Sequence, residues 1–162
     1  MVRFKEPAHL KLIARIMLAL LELPSEPASI GAYRRLLVDK MCRELEKLVR
    51  IGKSRRAQEN AKRGGVDVDL SEHTWADRGR LEGRHEDGFH FEHTETVYEL
   101  VQSLMSLRDP RLEDVEAILA RARVTWVTKR ENEKLDELGY RSRRPDWRKA
   151  YQDAGIELAD DE

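Results

Sequence analysis

The sequence has little cysteine and few aromatic residues. Cys42 is the only cysteine among 162 residues, which excludes an internal disulfide or a zinc site built from several cysteines and is typical of a reducing compartment. Aromatic residues make up 6% of the chain, whereas charged residues make up 38%. Cys42 falls within a predicted helix, so we expect it to pack in the core instead of acting as a nucleophile.

Several functional motifs are also absent. The sequence has neither a Walker loop nor a Gly-x-Gly-x-x-Gly fingerprint, and its serines and histidines lack the context of a catalytic triad. The longest apolar run, residues 10–23, is too short to span a bilayer and contains Lys11 and Arg15. We therefore predict a core helix at this run, no membrane association and a cytoplasmic protein.

The most abundant residues, Leu, Ala, Glu, Lys and Arg, are helix formers. Apolar residues recur every three or four positions in these segments, as on one face of an α-helix. In the second helix this stripe comprises Ile30, Tyr33, Leu37, Met41, Leu45 and Leu48. The pattern predicts a mainly α fold, a compact helical bundle of about five to six helices. Residues 66–70 and 124–127 are candidates for one or two short strands.

Local signals predict several helix ends. Thr96 and Thr128 each begin a capping-box spacing, and Asp109 is a cap followed by the proline favoured at the first helical position. Gly139 and Gly155 are placed to terminate the last two helices.

The helical pattern is interrupted once, which suggests the organisation of the chain. Residues 1–63 are predicted to form an N-terminal helical hairpin with a basic arm, and residues 64–93 a long, irregular, Gly-rich insert that is acidic and His-rich. Residues 94–158 are predicted to complete the same domain with further helices. An acidic tail, residues 159–162, follows.

Charge is strongly segregated along the chain. Residues 34–63 carry eleven Lys/Arg against four Asp/Glu, a balance of +7, and residues 64–99 carry ten Asp/Glu against three Lys/Arg, a balance of −7. The basic block is either a nucleic-acid contact, a solvated helix face that the acidic insert neutralises, or a contact that the insert covers like a lid. The candidate nucleic-acid-binding residues are Arg50, Lys53, Arg55, Arg56, Lys62 and Arg63.

A histidine cluster lies at the end of the insert. His85, His90 and His93 fall within nine residues, together with Glu92. Imidazole and carboxylate are the usual ligands of Zn, Mn, Ni or non-haem Fe, so these four residues are a candidate metal site. In a strand, His90 and Glu92 would share one face; in a helix, His90 and His93 would lie side by side. The spacing does not match His-Glu-x-x-His, and the alternative is a loop whose histidines have no metal function.

A third group combines cations with an indole near the C-terminus. It comprises Arg141, Arg143, Arg144, Trp147, Arg148 and Lys149. Guanidinium groups beside Trp147 would stack or bind phosphate. The spacing of Trp147, Tyr151 and Ala154 instead favours the core face of a short helix.

Two functions follow from these observations. The first is a non-enzymatic binding or regulatory module that engages nucleic acid or a protein partner through the basic arm, with homo-oligomerisation left open. The alternative is a small metal-dependent hydrolase or nuclease that uses the cluster from His85 to His93.

Overall fold

A computed structural model describes residues 4–65, 68–81 and 87–159. The chain forms two compact units, Met1–Val49 with Glu95–Ala122, and Arg50–Thr94 with Arg123–Glu162. The fold is mainly helical, as predicted, and includes a small three-stranded sheet. Among the described residues, no helix combines the length and the apolar character needed to cross a bilayer.

The first unit is built from four helices. They are α1 (Pro7–Leu21), α2 (Ala28–Glu44), α5 (Val97–Met105) and α6 (Leu112–Leu119). The helix α1 packs against α2 and α6, and α5 packs against α2 and α6. Each helix turns one apolar stripe inward, and the fully buried side chains include Met17, Val38, Leu104, Val115 and Leu119.

The buried face of α2 differs from the predicted stripe. Val38 and Cys42 are buried, whereas Ile30 and Tyr33 are 39% and 60% exposed. Tyr33 points away because it is rotated around the helix from the face that carries Val38 and Cys42. Ile30 belongs to the first turn of the helix, where residues 28–30 are all exposed. Cys42 lies in the core, as expected.

The structure confirms several predicted helix boundaries. These boundaries could be predicted because each depends on capping residues close together in the sequence. Thr96 accepts a hydrogen bond from Glu99 N and caps α5. Thr128 and Glu131 form the predicted capping box of α7 (Lys129–Glu137). Asp109 does not cap α6 directly: its φ is +47°, and the helix begins three residues later with Arg111 as N-cap.

The second unit places helices around the sheet. Its strands are β1 (Ile51–Lys53), β2 (Phe89–His93) and β3 (Val124–Thr128), in the order β1-β3-β2. The central strand β3 is parallel to β1 and antiparallel to β2, and all five of its residues are buried. The remaining helices are α3 (Arg55–Arg63), α4 (Arg78–Leu81), α7 and α8 (Trp147–Ala154). Ala150 and Tyr151 of α8 pack with Val127 and Leu135, which confirms the core role predicted for this helix.

The described parts of the predicted insert have more structure than its sequence pattern indicated. Residues 70–72 and 75–77 form 3-10 turns, and β2 is an edge strand of the sheet. Leu70 and Leu81 are buried. These elements are three to five residues long, too short for a period to emerge from the sequence. Of the strand predicted at 66–70, Val66 and Asp67 lie outside the described residues, and Leu70 begins a 3-10 turn.

Candidate nucleic-acid interface

The helix α3 carries most of the predicted nucleic-acid-binding residues. The hydroxyl of Ser54 accepts a hydrogen bond of 3.0 Å from Ala57 N and caps the helix. Ala57 and Ala61 are fully buried and attach one side of α3 to the second unit. Since the two alanines lie one turn apart, the opposite side of the helix faces solvent.

The cations of α3 are on that solvent-facing side. The predicted residues that are exposed are Arg50, Arg55, Arg56, Lys62 and Arg63. Arg55 Nε lies 3.5 Å from Glu157 Oε2, and Arg63 Nη2 lies 3.6 Å from Glu59 Oε2. Within the described ranges, Arg56 and Lys62 have no ion pair.

Lys53 is the exception among the six predicted residues, because it is buried. Its Nζ lies 2.7 and 2.8 Å from the two carboxylate oxygens of Asp69. Burial raises the pKa of Asp69, but hydrogen bonds from Lys53 and Ser71 outweigh this effect and lower it to about 2. The structure therefore buries Lys53 in an ion pair with the exposed carboxylate of Asp69, instead of placing it on the exposed face.

Part of the predicted insert, residues 68–70, lies against α3. Gln58 donates a hydrogen bond of 2.8 Å to Val68 O and accepts one of 3.0 Å from Leu70 N. With the pair between Lys53 and Asp69, these bonds attach residues 68–70 to one side of the helix. The contacts involve Lys53 and Gln58, and leave Arg56 and Lys62 exposed.

The histidine cluster is only partly assembled. His90 and Glu92 share one face of β2, and His90 Nε2 lies 3.4 Å from Glu92 Oε2. His93 belongs to the opposite face because side chains alternate along a strand, and His85 lies outside the described residues. Among the described residues, no three His, Cys, Asp or Glu side chains form a group able to hold a metal ion. The predicted metal site stays a prediction.

Glu92 instead forms a buried ion pair that the sequence did not reveal. Arg144 Nη1 donates to Glu92 Oε1 at 2.7 Å, and only 1% of Arg144 is exposed. Burial raises the pKa of Glu92, but the hydrogen bond from His90 and the charge of Arg144 lower it below its ordinary value. Arg144 was grouped above with the phosphate-binding arginines, whereas the structure gives it an internal partner.

Trp147 lies between the core and a group of cations. The guanidinium carbons of Arg123 and Arg148 lie 4.1 and 4.6 Å from the centre of its ring. The predicted stacking of a guanidinium on this indole is therefore present for Arg148. Arg123 was missed because it is 24 positions earlier in the sequence and no local pattern links it to Trp147.

A shallow groove of about 380 Å³ runs beside α8. It is lined by Trp147, Arg148, Gln152 and the segment that follows the helix, including Glu157. Arg55 N donates to Glu157 O at 2.7 Å, so the start of α3 adjoins the rim of this groove. Exposed cations from two distant parts of the sequence, Arg55 and Arg148, thus occur in one region of the second unit.

Comparison with known proteins gives no relative. No protein-family model matches the chain, and neither a curated protein nor a solved structure matches it.

Proposed function

We propose that this protein is a non-catalytic module that binds nucleic acid by its phosphate backbone, through the exposed side of α3. The observation that carries the proposal is that Arg55, Arg56, Lys62 and Arg63 all face solvent on a helix whose other side is buried. Cations fixed on one side of a rigid element are what a phosphate contact requires.

The anchoring of α3 supports the proposal. The cap at Ser54, the buried Ala57 and Ala61, and the two hydrogen bonds of Gln58 hold the helix along its length. An anchored helix loses little conformational freedom on binding, so its cations contribute more to affinity than those of a flexible tail.

The electrostatics of the face also support it. Arg56 and Lys62 have no ion pair within the described part of the chain, and the pairs of Arg55 and Arg63 are exposed and long. Exposed ion pairs contribute about 0–1 kcal/mol each. Phosphate groups can therefore replace Glu157 and Glu59 as partners at small cost.

The chemistry favours a contact that does not depend on base sequence. The helix α3 contains no aromatic residue on which a base could stack. Phosphate contacts of this kind position a protein on nucleic acid without selecting bases. We therefore propose similar binding to duplex DNA, single-stranded DNA and RNA.

Fluorescence anisotropy with labelled duplex DNA, single-stranded DNA and RNA tests the proposal. At about 50 mM salt, where phosphate contacts are strong, wild-type protein should bind all three with micromolar affinity. The double variant Arg56→Glu/Lys62→Glu should weaken binding at least about tenfold.

A second double variant, Arg108→Glu/Arg130→Glu, is the matched control because it changes the net charge equally at two exposed cations outside α3. It should bind almost as well as wild type. Failure of wild type to bind any of the three polymers, or an equal loss in the control, would refute the proposal, and the first outcome would direct attention to a protein partner.

A further inference from the structure

The segment after α8 adds a short outer strand to the sheet of the second unit. Ser54 and Leu158 form an antiparallel bridge, and their neighbours form two backbone hydrogen bonds of 2.7 and 2.9 Å. Because β3 occupies the other side of β1, residues 157–159 lie along its outer side. These three residues therefore form the outermost strand on this side of the sheet.

The backbone of Leu158 faces away from β1. Along a strand, the N–H and C=O groups of successive residues point alternately toward and away from one neighbouring strand. Glu157 O and Ala159 N bond to the segment of β1, so the two backbone groups of Leu158 point outward. Within the described residues, neither group has a hydrogen bond. Since buried backbone groups rarely remain unpaired, both groups face solvent and form an open strand edge.

The groove beside α8 borders this open edge. Leu158 and Ile156 line one wall, and Trp147 and Tyr151 of α8 line the other. Ile156 and Tyr151 are buried members of the core, so the groove has an apolar floor. Its volume of about 380 Å³ is at the lower end of the range of about 300–1,000 Å³ typical of ligand pockets. This size suits the side chains of a single extended segment.

One exposed cation gives the groove its charge. Arg148 lines the groove and stacks on Trp147, and it has no ion pair within the described part of the chain. Among the described residues that line the groove, Glu157 is the only acid, and Arg55 Nε lies 3.5 Å from its carboxylate. Arg55 offsets the charge of Glu157, so Arg148 makes the groove attractive to an anionic group.

We propose that the open edge at Leu158 and the groove beside α8 together bind an extended, acidic peptide of a partner protein. The peptide adds one strand to the sheet and forms two backbone hydrogen bonds with Leu158. Because side chains alternate along a strand, an apolar side chain in the groove and an acidic one two positions away share a face. The acidic side chain then lies on the side of Arg148.

The open backbone edge favours a peptide over a nucleic acid as the occupant. A peptide strand presents amide donors and carbonyl acceptors in the alternation that pairs with Leu158, whereas a sugar-phosphate backbone presents no amide. The proposed peptide site is also built from residues other than the exposed cations Arg56 and Lys62 of α3. The two proposals can therefore be tested separately.

Binding of defined peptides tests the proposal. The probes are three fluorescein-labelled heptapeptides, Thr-x-Thr-Glu-Thr-x-Thr, in which x is Leu, Val or Phe. At least one should bind the full chain with a dissociation constant of about 100 μM or below, and should shift the amide NMR resonance of Leu158. Absence of binding by all three at concentrations up to about 1 mM would overturn the proposal.

N-methylated peptides test the strand pairing itself. The amides of alternate residues in the bound peptide face Leu158, and the others face away. Methylation of one alternate set should therefore weaken binding at least about tenfold, through the loss of backbone hydrogen bonds and the clash of the methyl groups, and methylation of the other set should have much less effect. Equal binding by both methylated peptides would show that the backbone does not pair, and would overturn the proposal.

A charge exchange tests the role of Arg148. Arg148→Glu should weaken binding of the Glu peptide about fivefold to tenfold, and should strengthen binding of the same peptide with Lys in place of Glu. Arg130→Glu is the matched control, because it makes the same change at an exposed cation of α7 outside the groove, and it should bind the Glu peptide like wild type. Circular dichroism verifies that each variant is folded.

Two results of the charge exchange would also overturn the proposal. The first is equal peptide binding by wild type and Arg148→Glu, or an equal loss in Arg130→Glu. The second is a wild type that ignores all three peptides but loses about tenfold in affinity for duplex DNA on the change Arg148→Glu. That result would assign the groove to nucleic acid instead.

Discussion

The guanidinium of Arg144 and the carboxylate of Glu92 form a buried ion pair with an Nη1 to Oε1 distance of 2.7 Å. The remaining donors of Arg144 bind backbone oxygens of His93, Thr94 and Tyr140. One side chain thus joins the end of β2 to the segment that follows α7. Both charges are compensated, which is the condition under which a buried pair persists.

Breaking this pair should destabilise the second unit strongly. Arg144→Met leaves Glu92 buried with only His90 as a partner, and we expect a loss of about 3–5 kcal/mol in the free energy of unfolding. Trp75, Trp126 and Trp147 all belong to the second unit, so tryptophan fluorescence in a urea titration reports its unfolding. A loss below about 1 kcal/mol would contradict the internal role of Arg144. The double variant Arg144→Met/Glu92→Met should lose less than the single one, since it leaves no unpaired charge.

The same pair should make stability depend on pH. The pKa of Glu92 is lower in the folded protein than its ordinary value of 4.5. The unfolded chain therefore binds the proton more readily, so the contribution of Glu92 is complete above its unfolded pKa and is lost as pH falls through the folded value. The difference in unfolding free energy between wild type and Glu92→Gln should be constant from pH 6 to 7 and shrink below about pH 4.5. A difference that grows on acidification would contradict this assignment.

Cys42 should be unreactive in the folded protein. Its side chain is buried, and burial, with the negative charge of Asp39, raises the pKa of the thiol to about 12. Only the thiolate attacks disulfide reagents, so at pH 8 labelling should be at least about a hundredfold slower in native than in denatured protein. The rate of labelling with a thiol reagent provides the measurement. Fast labelling of native protein would show that α2 is not packed as described.

Metal addition tests the alternative function. The carboxylate of Glu92 is held by Arg144 and His90, and His93 lies on the opposite face of β2. We therefore expect that Zn²⁺, Mn²⁺ or Ni²⁺ does not raise the melting temperature of untagged wild-type protein. A rise that His90→Ala or His93→Ala abolishes would instead favour the metal-dependent hydrolase or nuclease.

The sequence predicted the features that depend on neighbouring residues. The caps at Thr96 and Thr128, the end of α7 near Gly139 and the short helix stopped by Gly155 all rest on residues within one turn. The strand predicted at 124–127 from its β-branched and aromatic composition is β3, which extends one residue further, to Thr128. These capping residues, glycines and β-branched residues act on their own neighbours, so their effect does not depend on which distant segments the fold brings together.

Features that depend on distant residues were not predictable. The strand β1 has three residues and pairs with β3, which brings Ile51 beside Val124. Lys53 and Arg144 look like surface cations in the sequence, and only their distant partners Asp69 and Glu92 reveal that they are buried. The sequence therefore indicated where the cations of α3 lie along the chain, but not that Lys53 is buried.

The salt dependence of nucleic-acid binding tests the central proposal most directly. If Arg55, Arg56, Lys62 and Arg63 each contact a phosphate of duplex DNA, the logarithm of the binding constant should fall with the logarithm of salt concentration with a slope of about −3 to −4. Arg56→Glu/Lys62→Glu should reduce this slope by about two, and Arg108→Glu/Arg130→Glu should leave it unchanged. A wild-type slope near zero, or the same slope in Arg56→Glu/Lys62→Glu as in wild type, would contradict the proposal that α3 binds the phosphate backbone.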